Sequence, residues 1–157
     1  SLELGYNPLE AEGTQAIVDV VKFDLKALDT LRLGWCKLGT GGARAVADLL
    51  LMTSSSSTVS VLDLRGNSFG NDGAIILARG FKEADGKRLA ELDLGYNEIK
   101  DEGACAIAQA LKANANNAPV DLRLNSNYIT RFGQVALAEA VDMVFEMGGG
   151  KRTAVHF

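Results

Sequence analysis

Apolar residues recur along this chain in five matching blocks that begin at Leu2, Leu31, Leu62, Leu92 and Leu122, with starts 29, 31, 30 and 30 residues apart. Each block opens Leu-x-Leu, the alternation of a strand with one buried face. Leu2 and Leu4, Leu31 and Leu33, Leu62 and Leu64, Leu92 and Leu94, and Leu122 and Leu124 are therefore expected to point inward. Three residues past the second Leu stands Asn7, Cys36, Asn67, Asn97 or Asn127. Such an amide is expected to turn inward and bond backbone groups of the neighbouring turn, because a buried polar side chain costs free energy unless paired. Cys36 fits the same slot by size, with weaker bonding. Leu9, Leu38, Phe69, Ile99 and Ile129 continue the core.

The period then changes to that of a helix. Gly13, Gly42, Gly73, Gly103 and Gly133 open these stretches, and the pairs Ala16 and Ile17, Ala45 and Val46, Ile76 and Leu77, Ala106 and Ile107, and Ala136 and Leu137 share one helical face. Self-similarity at a period near thirty means stacked units, none of which buries its own apolar face. The expected fold is an α/β solenoid of five strand–helix repeats, one domain over residues 1–157. Loops are expected at Thr53 to Thr58, at Glu83 to Arg88 around Gly86, and at Asn114 to Pro119. Residues 148–157 read as a C-terminal cap: glycines break the chain, then Thr153 to Phe157 forms a last strand with Val155 and Phe157 inward. Met143, Phe145 and Met147 are expected to pack into core or cap. The first strand has no comparable cover, and its edge calls for further repeats or a partner.

These residues resemble the ribonuclease-inhibitor-like class of leucine-rich repeats, as in Leu92-Asp-Leu-Gly-Tyr-Asn97-Glu-Ile99-Lys-Asp-Glu-Gly103-Ala-Cys-Ala-Ile107. The last two repeats and the closing Lys151 to Phe157 are also similar to plastid members from plants and algae. Members inhibit nucleases, activate the GTPase Ran, cap actin filaments as tropomodulins do, or form the sensing half of innate immune receptors. The resemblance implies a curved solenoid with its parallel sheet on the concave side, holding another protein.

Residues flanking the inward leucines then face that side. One row runs Ser1, Thr30, Val61, Glu91, Asp121, the next Glu3, Arg32, Asp63, Asp93, Arg123, and the third Gly5, Gly34, Arg65, Gly95, Asn125. At strand spacing Glu3 can pair with Arg32 and Arg32 with Asp63, leaving Asp63 beside Asp93. One step further Tyr6, Trp35 and Tyr96 stand beside Gly66 and Ser126. Aromatics with a polar tip dominate interface energetics, so these three rings, flanked by Glu3, Arg32, Asp63, Arg65, Asp93 and Arg123, form the candidate partner-binding strip. The same rings could instead pack over neighbouring glycines as spacers.

Charge narrows the partner. A net charge of −4 without a basic stripe disfavours nucleic acid, and the longest uncharged run, from Leu49 to Leu62, is broken by Thr53 to Thr58, so no membrane span is expected. Cys36 and Cys105 occupy different repeat positions and read as buried free thiols in an intracellular setting, not as a disulfide or metal pair. The single His156 has no nucleophile near it in sequence, and Gly148-Gly-Gly-Lys151-Arg-Thr153 follows a helix where a phosphate loop would precede one. No catalytic residue, cofactor or metal is expected. Two readings of the function stand: a non-catalytic interaction module or scaffold subunit of a larger assembly, and a regulatory or receptor-type module that binds reversibly.

Overall fold

The computed structural model describes residues 1–51, 58–84, 88–148 and 152–157. The expected loop residues Thr53 to Ser57 and Gly86, and Gly149, Gly150 and Lys151 of the expected cap, lie outside the described residues. Strand and helix alternate throughout. The strands are β1 (Leu2–Glu3), β2 (Thr30–Arg32), β3 (Val61–Asp63), β4 (Glu91–Asp93), β5 (Asp121–Arg123) and β6 (Ala154–His156). The helices are α1 (Glu10–Phe23), α2 (Gly39–Leu51), α3 (Gly70–Glu83), α4 (Asp101–Ala113) and α5 (Arg131–Met147). All six strands form one parallel sheet in chain order, and each helix packs against its sequence neighbours.

Register follows the leucines. Leu2 lies opposite Leu31, Leu31 opposite Leu62, Leu62 opposite Leu92, Leu92 opposite Leu122, and Leu122 opposite Val155. A one-residue slip would turn every leucine out of the core, so the buried row itself fixes the pairing. From Leu31 to Leu124 this row is fully enclosed, whereas Leu2 and Leu4 are half-buried because β1 has a neighbour on one side alone. Ala16 is exposed for the same reason: it holds the place of buried Ala45, but among the described residues α1 has a helix neighbour, α2, on one side alone. Among the described residues no helix is long and apolar enough to cross a membrane.

The repeated glycines sit inside the first helical turn, not at its start, since α3 begins at Gly70 and α4 at Asp101. Their role is contact. A Cβ at Gly73 would stand 2.6 Å from Phe69 Cβ, so only glycine lets the turn close onto the apolar residue before it. Helix starts are also tied between repeats. Asn71 Oδ1 accepts from the N–H groups of Lys100 and Gly103, each at 3.0 Å, and Asp101 Oδ1 accepts from those of Thr130 and Gly133 at 2.7 and 3.2 Å.

The inward amides at Asn67, Asn97 and Asn127 form the expected ladder, whereas Asn7 is exposed, not inward as expected, and donates within its own turn to the Leu4 and Gly5 carbonyls at 2.8 and 3.2 Å. Asn67 Nδ2 donates to the carbonyls of Leu33 and Leu64 at 2.8 and 2.9 Å, while its Oδ1 accepts the Cys36 N–H at 2.9 Å. Asn97 repeats the pattern with Leu64, Leu94 and the Asn67 N–H, and Asn127 with Leu94, Leu124 and the Asn97 N–H. Cys36, fully buried, places Sγ 3.1 Å from the Leu4 carbonyl. Cys105 is half-buried, not enclosed as expected, because it lies at the flank of α4.

At the C-terminal end the last strand forms, but several side chains lie otherwise than expected. Strand β6 pairs with β5 and Thr153 is buried, but Phe157 stays exposed, its carbonyl held by Asn125 Nδ2 at 2.9 Å. Met143, Phe145 and Met147 are likewise exposed, with no helix packed on the outer side of α5 among the described residues.

Candidate partner-binding face

The turn after each strand passes through left-handed backbone at the residue before the ladder position: φ is 63° at Tyr6, 58° at Trp35, 66° at Gly66, 56° at Tyr96 and 57° at Ser126. Such φ values cost about 1–2 kcal/mol for a residue other than glycine. Three of the five positions nonetheless carry large rings. Tyr6 and Trp35 stack with centroids 6.3 Å apart and planes 10° apart, and Trp35 meets Tyr96 at 5.5 Å with a 48° tilt. Aromatic pairs contribute about 0.5–1.5 kcal/mol each beyond area burial, enough to offset part of the backbone cost. The rings contact one another across two repeats because Gly66 between them has no side chain, and the Trp35 indole lies over it. Packing over a glycine therefore occurs, yet Tyr6, Trp35 and Tyr96 remain 81%, 40% and 52% exposed. The strip is both an internal stack and an accessible surface.

Beside it opens a cleft of about 340 Å³ lined by Glu3, Gly5, Tyr6, Arg32, Gly34, Trp35, Asp63 and Arg65. Glu3 and Arg32 form the expected pair at 3.6 Å, both well exposed. Asp63 and Asp93 are not exposed as expected. Both are buried at 4% and 6%, covered by Arg65, whose guanidinium bonds Asp63 in bidentate fashion at 2.8 and 3.0 Å and reaches Asp93 at 3.5 Å. Arg65 lies two residues past Asp63 and hence on the same face, and this reach along the strand is what a count of cross-strand neighbours misses. Arg65 takes the place in the pairing that Arg32 was expected to hold.

The electrostatics follow. Its bond to Asp63 holds Arg65 more firmly protonated, despite partial burial. Burial pushes the Asp93 carboxyl up, opposed by the Gly95 N–H at 2.9 Å and reinforced by Asp63. Arg123 stands apart from the rings: it bonds Glu91 at 3.0 Å and Asp121 at 3.0 Å. His156 Nε2 lies 2.8 Å from Asp121 Oδ1, a link across β5 and β6 that the sequence reading missed although the two strands' pairing implied it. The face as a whole carries arginines already engaged by carboxylates, with the uncommitted contact area concentrated in the rings.

Residues 26–47, 55–78 and 89–108 match the family model described as Leucine Rich repeat. The match supports a leucine-rich-repeat character for these segments. They contain β2 to β4 and the starts of the helices that follow. A solved structure titled leiomodin-1 Actin-Binding Site 2 is similar in fold: the TM-score is 0.69 over 95% of this chain and 83% of that one, at 15% identity. That likeness is one of fold. No curated protein sequence matches the chain.

Proposed function

We propose that this chain is a single non-catalytic domain of the ribonuclease-inhibitor-like kind that binds a partner protein on the concave face of its sheet, with Tyr6, Trp35 and Tyr96 as the anchor. The observation that carries this reading is the retention of three exposed rings on left-handed backbone, where glycine would be relaxed. Strain of this kind, held by a contiguous aromatic stack beside a cleft, is spent on a surface and not on the core. Leucine-rich repeats and a fold neighbour whose title names actin binding support a protein as ligand, in preference to a small molecule. The paired arginines and carboxylates flank the rings and supply orientation more than affinity.

The test is crosslinking mass spectrometry on the protein held in its native complex, followed by affinity measurement with the partner so identified. Crosslinks beside Trp35, and a loss of about 30-fold or more in Trp35→Ala with unchanged folding, support the reading. Crosslinks confined to residues 1–13 and 148–157, with unchanged affinity in Trp35→Ala, would replace it with a scaffold subunit held by its ends.

A further inference from the structure

The cleft beside the rings is short of acceptors. Two carboxylates line it: Asp63 is buried and accepts from Arg65 at both oxygens, and Glu3 faces Arg32 at 3.6 Å. Donors are in surplus. Among the described residues the Trp35 indole N–H and the Tyr6 and Tyr96 hydroxyls form no hydrogen bond, and the Arg32 guanidinium carries more N–H groups than its one long ion pair engages. A ligand that completes this surface brings carbonyl oxygens and few N–H groups of its own, because a donor buried there would lack a partner.

Charge and shape restrict it further. Glu3 and Asp63 offset Arg32 and Arg65, so the charges lining the cleft cancel and select neither a basic nor an acidic segment. Gly5 and Gly34 stand between the charged row and the rings and leave no side chain to divide the cleft, while Arg65 holds the same row on the third turn and bounds it there. The ring wall steps by 6.3 Å from Tyr6 to Trp35 and by 5.5 Å from Trp35 to Tyr96. Two such steps cover little more than one turn of a polyproline II helix, about 9 Å. The rings are fixed by left-handed backbone and by one another, so this wall is preformed and favours a ligand that is stiff as well.

On the reading of this face as protein-binding, on which the inference rests, we propose that the partner presents a proline-rich segment in polyproline II conformation. Its pyrrolidine rings lie against Tyr6, Trp35 and Tyr96, and its carbonyls accept from the Trp35 indole N–H and the Arg32 guanidinium. Proline supplies what the cleft lacks: its tertiary amide has an acceptor and no donor, and its ring packs on aromatic faces without adding charge. An extended segment of other residues would bring one N–H per residue to a cleft whose carboxylates already face arginines.

The probe is a blocked decaproline peptide, compared with blocked Gly/Ser and Gly/Glu peptides of equal length, each titrated into the full 157-residue chain. Binding is followed by calorimetry and by the NMR shift of the Trp35 indole N–H. Decaproline should bind about tenfold or more tighter than the Gly/Ser peptide and move the indole resonance. Trp35→Phe, which keeps a ring in the stack and removes the N–H, should weaken it about three- to tenfold, and Trp35→Ala by more. Amide spectra of both variants report whether the fold is kept. No binding of decaproline, equal affinity for the Gly/Ser peptide, tighter binding of the Gly/Glu peptide, or an affinity for decaproline that neither substitution changes overturns the proposal. Native crosslinks beside Trp35 that lead to a segment without proline overturn it too and leave the protein-partner reading standing, whereas crosslinks that miss Trp35 remove that reading instead.

Discussion

The Trp35 indole lies across the α-carbon of Gly66, in the space that a side chain on the third turn would fill. Gly66 also has φ 66°. Gly66→Ala should therefore cost about 1–3 kcal/mol, combining left-handed strain with displacement of the ring. Trp35 is the only tryptophan, so urea unfolding and a red-shifted emission report both effects at once. In a Trp35→Ala background the same substitution should cost less, and equal costs in the two backgrounds would contradict the contact.

Removing a rung of the ladder should be expensive in the middle and cheap at the edge. Asn97→Ala leaves the Asn67 N–H unpaired in the interior and takes one of two amide donors from each of the Leu64 and Leu94 carbonyls, a loss of about 2–4 kcal/mol. Asn7→Ala, exposed and bonded within its own turn, should cost under about 1 kcal/mol. Denaturant midpoints of the two variants decide this.

Cys36→Asn should stabilise the protein by about 0.5–1.5 kcal/mol. The slot already holds an amide at Asn67 and Asn97, and here the thiol makes its contacts to Leu4 and Gly34 at 3.1 and 3.4 Å, the weaker kind of bond. An amide would give the Asn7 N–H, which now meets the Cys36 sulfur, a stronger acceptor. Burial also pushes the Cys36 thiol up, so in the folded wild type it should resist alkylation at neutral pH, read by mass spectrometry.

Acid titration of Asp93 has an unusual sign. Its carboxyl is raised above the ordinary value of 3.8 by burial, so the folded state binds its proton more tightly than the unfolded state does. This group's contribution to stability therefore falls as pH rises from 3.8 through the raised value, and is flat above it. Asp93→Asn, which keeps an acceptor for the Gly95 N–H, should gain on the wild type across that window. A stability difference that is constant with pH would refute the assignment.

Strand positions, register and the amide ladder were legible because each depends on a period: Leu-x-Leu sets the face, and Asn67 and Asn97 recur at the same offset. What escaped depends on single side chains. Asp63 and Asp93 occupy an outward row by alternation, yet are buried because Arg65, two residues on, folds back over them. Phe157 and Ala16 were misplaced for a different reason: each sits where a neighbouring unit would cover it, and periodicity describes the interior of an array better than its ends. The rings of Tyr6, Trp35 and Tyr96 were legible as a row, but their mutual contact depends on the empty third place at Gly66.

The ladder points one way. Asn67, Asn97 and Asn127 each serve the turn nearer β1, so a turn's buried N–H groups depend on the unit that follows it in the chain. Losing the first unit strands few partners behind it, whereas losing the last would orphan groups in the one before. The array should melt in order, shedding units from the β1 side while the β6 side stays closed, and its amide exchange should grade along the chain like a fuse that burns from one end.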